Sequence, residues 1–129
     1  MMNNFDITTI EEAARDIIVA LNLSKNVYPN RPKAAISVND FVVVGVSEEV
    51  VDRGAFGECV IDVDLFAKDI NNFKNGKKLS AMYQKFISGF PATKDNLLFD
   101  TEPTIIGDTP DDYGYHARMI RIKTTIKAI

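Results

Sequence analysis

The apolar positions of this chain change their period several times, and each change marks an element. Ile7, Ile10, Ala14, Ile17, Ile18 and Leu21 fall on one stripe at helical spacing, which predicts an amphipathic helix over 9–23. Thr8 with Glu11, or Thr9 with Glu12, has the spacing of a capping box, and both glutamates suit the positive end of the helix dipole. Asn22, Ser24 and Asn26 favour termination. Residues 27–40 then read as an extended arm, because Pro29 and Pro32 remove backbone donors and push the residues before them into extended geometry. A strand is expected over 41–52, and its FVVV run is apolar on both faces. That pattern calls for burial on both sides, or for one face covered by a partner. Gly54-Ala55-Phe56-Gly57 reads as a hairpin loop.

Alternation is clearest over 58–68. Cys59, Ile61, Val63, Leu65 and Ala67 share one face, while Glu58, Val60, Asp62, Asp64, Phe66 and Lys68 share the other. A polar turn over 69–76 leads to a second helix over 77–90, with Leu79, Met82, Tyr83, Phe86, Ile87 and Phe90 on a wide apolar face. Gly89 and Pro91 end it. A strand over 97–107 is interrupted at Pro103 and so belongs at a sheet edge. The segment GDTPDDYG reads as a turn-rich loop before a long strand over 113–126. In that last strand Tyr115, Ala117 and Met119 share one face, and Ile120, Ile122 and Ile126 share the opposite one. A bulge at 119–120, or passage from one environment to another, would account for the flip. The expected order is α-β-β-α-β-β: an α+β fold, with a mostly antiparallel sheet packed against two helices in a single domain of 129 residues.

Composition narrows the chemistry. The net charge of −3 argues against a dedicated nucleic-acid binder, which carries a basic patch or a pI above about 9. A single cysteine, Cys59, excludes an intrachain disulfide and suits a reducing compartment. The opening stretch lacks a basic n-region, and Glu11, Glu12, Arg15 and Asp16 interrupt its apolar run, so neither a signal peptide nor a membrane span is expected there.

His116 is the one histidine, which rules out a multi-histidine metal site within one chain, and its phase points it away from Tyr115 and Ala117. Cys59 lies on the apolar strand face, a setting that does not stabilise a thiolate. Asp108, Asp111 and Asp112 lack the spacing of a calcium loop and suit a turn. Glu58, Asp62 and Asp64 form an acidic stripe. It is either a solvated face paired across strands with Arg118, Arg121 or Lys123, or an electronegative surface that repels DNA phosphates in a channel. Lys74, Lys77 and Lys78 cluster at the start of the second helix, as a solvated group or a docking patch for an acidic partner. No catalytic, cofactor or metal residues are assigned, and the chain is not expected to be an enzyme.

Several phrases, VYPNRP followed by DFVVVGV, GECVIDVDLFAKD and GKKLSAMYQKFISGF, give a layout that resembles the tail-completion or tail-terminator (neck) proteins of tailed bacteriophages and prophages. The matching segments are the arm Val27 to Pro32 and the strands Phe41 to Val46 and Cys59 to Phe66. The resemblance implies a structural protein that forms a homo-oligomeric ring, commonly a hexamer, on the head-proximal end of a finished tail tube. It implies contacts with the tail tube protein and head-tail connector proteins, DNA passing without specific binding, and no cofactor or membrane. The location implied is the virion tail or neck, assembled in the cytoplasm of a bacterial host. The expected contact residues are Val27, Tyr28, Pro29, Arg31 and Pro32 of the arm and Asp108, Asp111 and Asp112 of the acidic loop, with Glu58, Asp62 and Asp64 on a lumen or solvent face. The rival reading is a dimeric small-molecule-binding or regulatory α+β module.

Overall fold

The computed structural model describes residues 6–29, 37–46, 50–94, 97–99 and 104–127. Ten elements run along these residues: α1 (Ile7–Ala20), β1 (Val27–Tyr28), β2 (Asp40–Val46), β3 (Val51–Asp52), β4 (Phe56–Lys68), α2 (Gly76–Ile87), β5 (Ala92–Lys94), β6 (Leu97–Phe99), β7 (Thr104–Pro110) and β8 (Tyr115–Lys127). The α+β class holds, but the order α-β-β-α-β-β is too coarse. The described residues contain eight strands, and β1 runs parallel to β2 in an otherwise antiparallel sheet.

β4 and β8 form the spine, paired without interruption from Phe56↔Lys127 to Lys68↔Tyr115. β2 and β3 share the far edge of β4, and β1 lies outside β2. β7 and β6 share the far edge of β8, and β5 lies outside β6. Both helices cover one face of this sheet. Their buried residues, Ile10, Ala13, Ala14 and Ile18 of α1 and Leu79, Met82 and Phe86 of α2, meet Cys59, Ile61, Val63, Leu65 and Ala67 of β4. Val42 and Val44 of β2 and Ile120, Ile122 and Ile126 of β8 complete this core.

Helix boundaries depart from the expected ones for local reasons. Asp6 caps α1, its carboxylate accepting from the Thr9 N–H at 3.2 Å and the Thr9 hydroxyl at 3.0 Å. The helix therefore starts ahead of both capping-box threonines, and its first turn holds no acidic residue. Glu11 instead reaches the sheet edge, where its Oε2 accepts the Val46 N–H at 3.0 Å. Asn22, at a φ of 56°, turns the chain after Ala20. Asn75 caps α2 through the Lys78 N–H at 3.2 Å, and that helix ends at Ile87.

Four strand expectations change. The 41–52 strand is two, β2 and β3, and 47–49 lie outside the described residues. Phe56 and Gly57 belong to β4, which leaves Arg53–Ala55 as the turn. The 97–107 strand is divided between β6 and β7, with Pro103 outside the described residues, and β5 is an additional strand ahead of it. Gly107–Pro110 of the expected GDTPDDYG loop lies in β7, so the turn is only 111–114.

β8 contains no bulge; the register shift of this hairpin falls in β7, between Ile105 and Gly107. The apolar phase of β8 flips because a second small core sits on the face opposite α1 and α2. Phe41, Phe66, Tyr115 and Ala117 are buried there, with Tyr28, Val38, Val43 and Met119 packed around them.

One buried polar atom stands out on the helix side. The Thr124 Oγ1, flanked across strands by Cys59 and Phe99, has no hydrogen-bond partner among the described residues. An unmet buried hydroxyl is costly, and valine has nearly the same shape. Thr124→Val is expected to raise the unfolding free energy by about 1 kcal/mol, read as a higher urea midpoint at unchanged m-value. A lower midpoint would mean the hydroxyl has a partner.

Candidate functional site

The residues expected to make contacts lie in three places. The acidic stripe is on the face of β4 away from the helices. Glu58 pairs with Arg53 at 3.0 Å, and Asp62 pairs with Arg121 across strands at 3.3 Å. These pairs leave the stripe close to neutral. Asp64 differs, since it has no hydrogen bond or ion pair to a described residue and sits half-buried between Val43 of β2 and Met119 of β8. Burial, and secondarily the Asp62 charge, push its carboxyl up to about 6 from an ordinary 3.8.

The sign follows from linkage. A carboxyl whose folded-state pKa is raised contributes stability below its unfolded value, and that contribution is lost as pH rises through about 6. Asp64→Asn is therefore expected to stabilise the fold above that pH by about 1–2 kcal/mol after discounting for solvent screening. The gain should vanish below about pH 4, as measured by urea unfolding across the range. A gain independent of pH would show that charge is not its origin.

The arm begins inside the protein's own sheet. Val27 and Tyr28 form β1, pairing with Val42 and Val43; Val27 packs on the main core, and the Tyr28 ring lies 5.7 Å from that of Phe41. Pro29 is exposed, and Arg31 and Pro32 lie outside the described residues. Both ends of the arm are tied to β2 and β8. Ser24 Oγ and Asn26 Nδ2 donate to the Asp40 carbonyl at 3.1 and 3.2 Å, and the Tyr115 hydroxyl donates to the Val38 carbonyl.

The three aspartates of the acidic loop do not converge. Asp108, on β7, accepts two hydrogen bonds from its cross-strand neighbour Arg118, at 2.8 and 2.9 Å, and one from Lys74 at 3.1 Å. The Arg118 hydrogen bonds, joined by Lys74, hold its carboxyl below the usual range despite partial burial. Asp111 Oδ1 accepts from the Tyr113 and Tyr115 N–H groups at 2.8 and 3.0 Å, which closes the hairpin turn. Asp112 is exposed.

His116 is half-buried on the helix-side face opposite Ala67, with Nδ1 2.7 Å from Asp69. Burial pushes the Cys59 thiol up to about 11, so the sulfur is a packing group. Among the described residues no three His, Cys, Asp or Glu side chains are grouped to hold a metal ion.

Two surfaces escaped the sequence reading. β7 pairs with β8 on one side, and its half-exposed Ile105 and Ile106 lie on the outer strand of the hairpin. The supposedly polar 69–76 turn carries a tight hairpin tip. Ile70 and Phe73 exchange backbone hydrogen bonds at 2.9 and 3.0 Å, and Asn71 and Asn72 both take positive φ, 53° and 68°. Beside it lies the 111–114 turn, joined by the Asp69 N–H to the Gly114 carbonyl at 2.9 Å. Together the tips expose Ile70 at 56%, Phe73 at 75% and Tyr113 at 42%. Asn-Asn between two apolar residues was the available signal.

An open cleft of about 830 Å³ lies between the end of α1 and the start of β2. Its polar groups bond one another: Lys78 pairs with Asp40 at 2.9 Å, and Lys85 donates to the Asn22 carbonyl at 3.2 Å.

No family model matches this chain, and no curated protein matches it. Solved structures do match. One of them, known only by a sequence designation, is 13% identical and superposes with a TM-score of 0.59 over 95% of this chain and 93% of its own. At that identity the likeness concerns the fold alone.

Proposed function

We propose that this chain is a structural ring protein of a phage-type tail or neck, which self-associates, caps the tail tube and presents a surface for joining the head. The observation that carries the reading is β7, which among the described residues pairs with β8 alone and holds half-exposed Ile105 and Ile106. An apolar strand edge left to water templates aggregation unless another chain covers it. A tube subunit or connector that adds to this edge would cover it in the assembly. The mechanism is geometric and needs no catalytic group. DNA passes without being held, because a chain of net charge −3 with a nearly neutral outer face gives phosphates little to grip. No helix among the described residues is long and apolar enough to cross a membrane.

The test is light scattering after size-exclusion chromatography, with negative-stain microscopy of the protein alone and mixed with purified tail tubes. Rings with a central opening, free or at tube ends, are the expected result. A monomer that leaves tube ends bare would overturn the proposal. The rival, a dimeric ligand-binding module, draws on the 830 Å³ cleft, but the mutual bonding of its polar groups leaves few to converge on a ligand.

A further inference from the structure

The paired turns at the end of the sheet form a rigid, apolar, lysine-flanked knob. Ile70 and Phe73 project from a two-residue turn whose backbone bonds are closed on themselves, so presenting them to a partner costs little ordering. Tyr113 stands beside them. Lys74 and Lys78 are occupied by Asp108 and Asp40, whereas Lys68 and Lys77 have no partner among the described residues. Exposed aromatics on a rigid support are typical binding anchors. Their complement is an apolar seat with a negative charge.

The same chain carries such a seat elsewhere. Asp64 is the one carboxylate of the acidic stripe without a partner among the described residues, and it lies between the half-buried Val43 and Met119. We infer that the Ile70–Phe73 knob of one copy seats on the Asp64 face of the next, with Lys68 or Lys77 meeting the Asp64 carboxylate. Knob and seat are different patches, so the contact is heterologous, and repeating it generates a ring when the rotation closes. This inference rests on the ring reading above and names the surfaces that join its copies. An anionic membrane is the other natural home for a lysine-flanked aromatic tip. The net charge of −3 disfavours it, and a carboxylate in the same chain that has no partner among the described residues favours a second copy.

The experiment compares wild type, Phe73→Ser and Asp64→Lys by light scattering, with circular dichroism to check folding. Each variant alone is expected to lose self-association by roughly 30-fold or more, the scale of an interface hot spot. An equimolar mixture should form a mixed dimer and nothing larger, since Asp64→Lys keeps a working knob and Phe73→Ser keeps a working seat. Asp64→Asn, which preserves shape, should weaken association less than Asp64→Lys, and this keeps the seat testable if the lysine disturbs folding. Rings that survive Phe73→Ser would overturn the knob while leaving the ring reading intact. A wild type that never assembles, with or without tubes, would remove both. Flotation of the chain with phosphatidylserine vesicles, abolished by Phe73→Ser, would assign the tip to a membrane and overturn the inference.

Discussion

Replacing Phe41 by alanine is expected to lower the unfolding free energy by about 3–5 kcal/mol, among the largest losses a single substitution in this chain could produce. Phe41 is fully buried on the sheet face opposite α1 and α2. Its ring stacks on Phe66 at 4.3 Å and 9°, meets Tyr115 edge-on at 5.2 Å, and lies 5.7 Å from Tyr28. Truncation removes the transfer free energy of the ring and leaves a cavity walled by strands that cannot collapse. A domain this size has about 5–15 kcal/mol in total, so the variant should be marginal at room temperature. Urea unfolding measures the loss. A change below about 1 kcal/mol would show that the second core is already open to solvent. Phe73→Ser provides the contrast: Phe73 is three-quarters exposed, and its loss should leave stability within about 0.5 kcal/mol.

The second core also explains which parts of the fold could be read in advance. In β4 the alternation of Cys59, Ile61, Val63, Leu65 and Ala67 was plain, because these residues are all buried in the one core that both helices share. The helices were equally plain, since Ile10, Ala14 and Ile18, and Leu79, Met82 and Phe86, repeat at the period their geometry demands. β8 carried its message in a less direct form. Its apolar residues change face between Met119 and Ile120 while the pairing with β4 continues, because the two halves of the strand serve different cores. Both explanations of that switch were compatible with the sequence, and only the register distinguishes them.

The short outer strands were hidden for another reason. β1, β5 and β6 are two or three residues long, and their pairing depends on partners distant in sequence. β7 was concealed by turn-forming residues: Gly107, Asp108 and Pro110 favour a loop locally, yet Asp108 is held in the ladder by Arg118. Of the contact residues, Asp64 could be named from its alternation, but its isolation could not. Among the described residues that isolation depends on Arg121, a diagonal neighbour of Asp64 on β8, pairing with Asp62 instead. The knob was passed over because polar neighbours masked two apolar residues at the ends of an Asn-Asn turn.

Arg118→Met is expected to cost about 2–4 kcal/mol near neutral pH, by stranding a carboxylate in a poorly hydrated place. Arg118 faces the helix side of β8, opposite Leu65, where the apolar phase has moved to the other face. It makes two of the three hydrogen bonds that Asp108 accepts and donates to Ser80 Oγ at 3.2 Å, fastening β7 and α2 to the spine. Without it Asp108 keeps, among the described residues, only Lys74, whose side chain is nearly half exposed. The pH dependence separates this effect from lost packing. A carboxyl with a lowered folded-state pKa contributes stability above its ordinary value of 3.8, and that contribution is lost as pH falls through the lowered one. The gap between wild type and Arg118→Met should therefore be widest at neutral pH and close in acid, because protonated Asp108 no longer needs the guanidinium. Arg118→Met combined with Asp108→Leu should recover much of the loss by removing the stranded charge. Amide hydrogen exchange should quicken in Thr104–Pro110 of Arg118→Met more than in the β2–β4 ladder, since Arg118 holds the edge strand that the assembly is proposed to use. A gap that stays constant down to strong acid would mean that the aliphatic stem of Arg118, and not its charge, holds β7 in place.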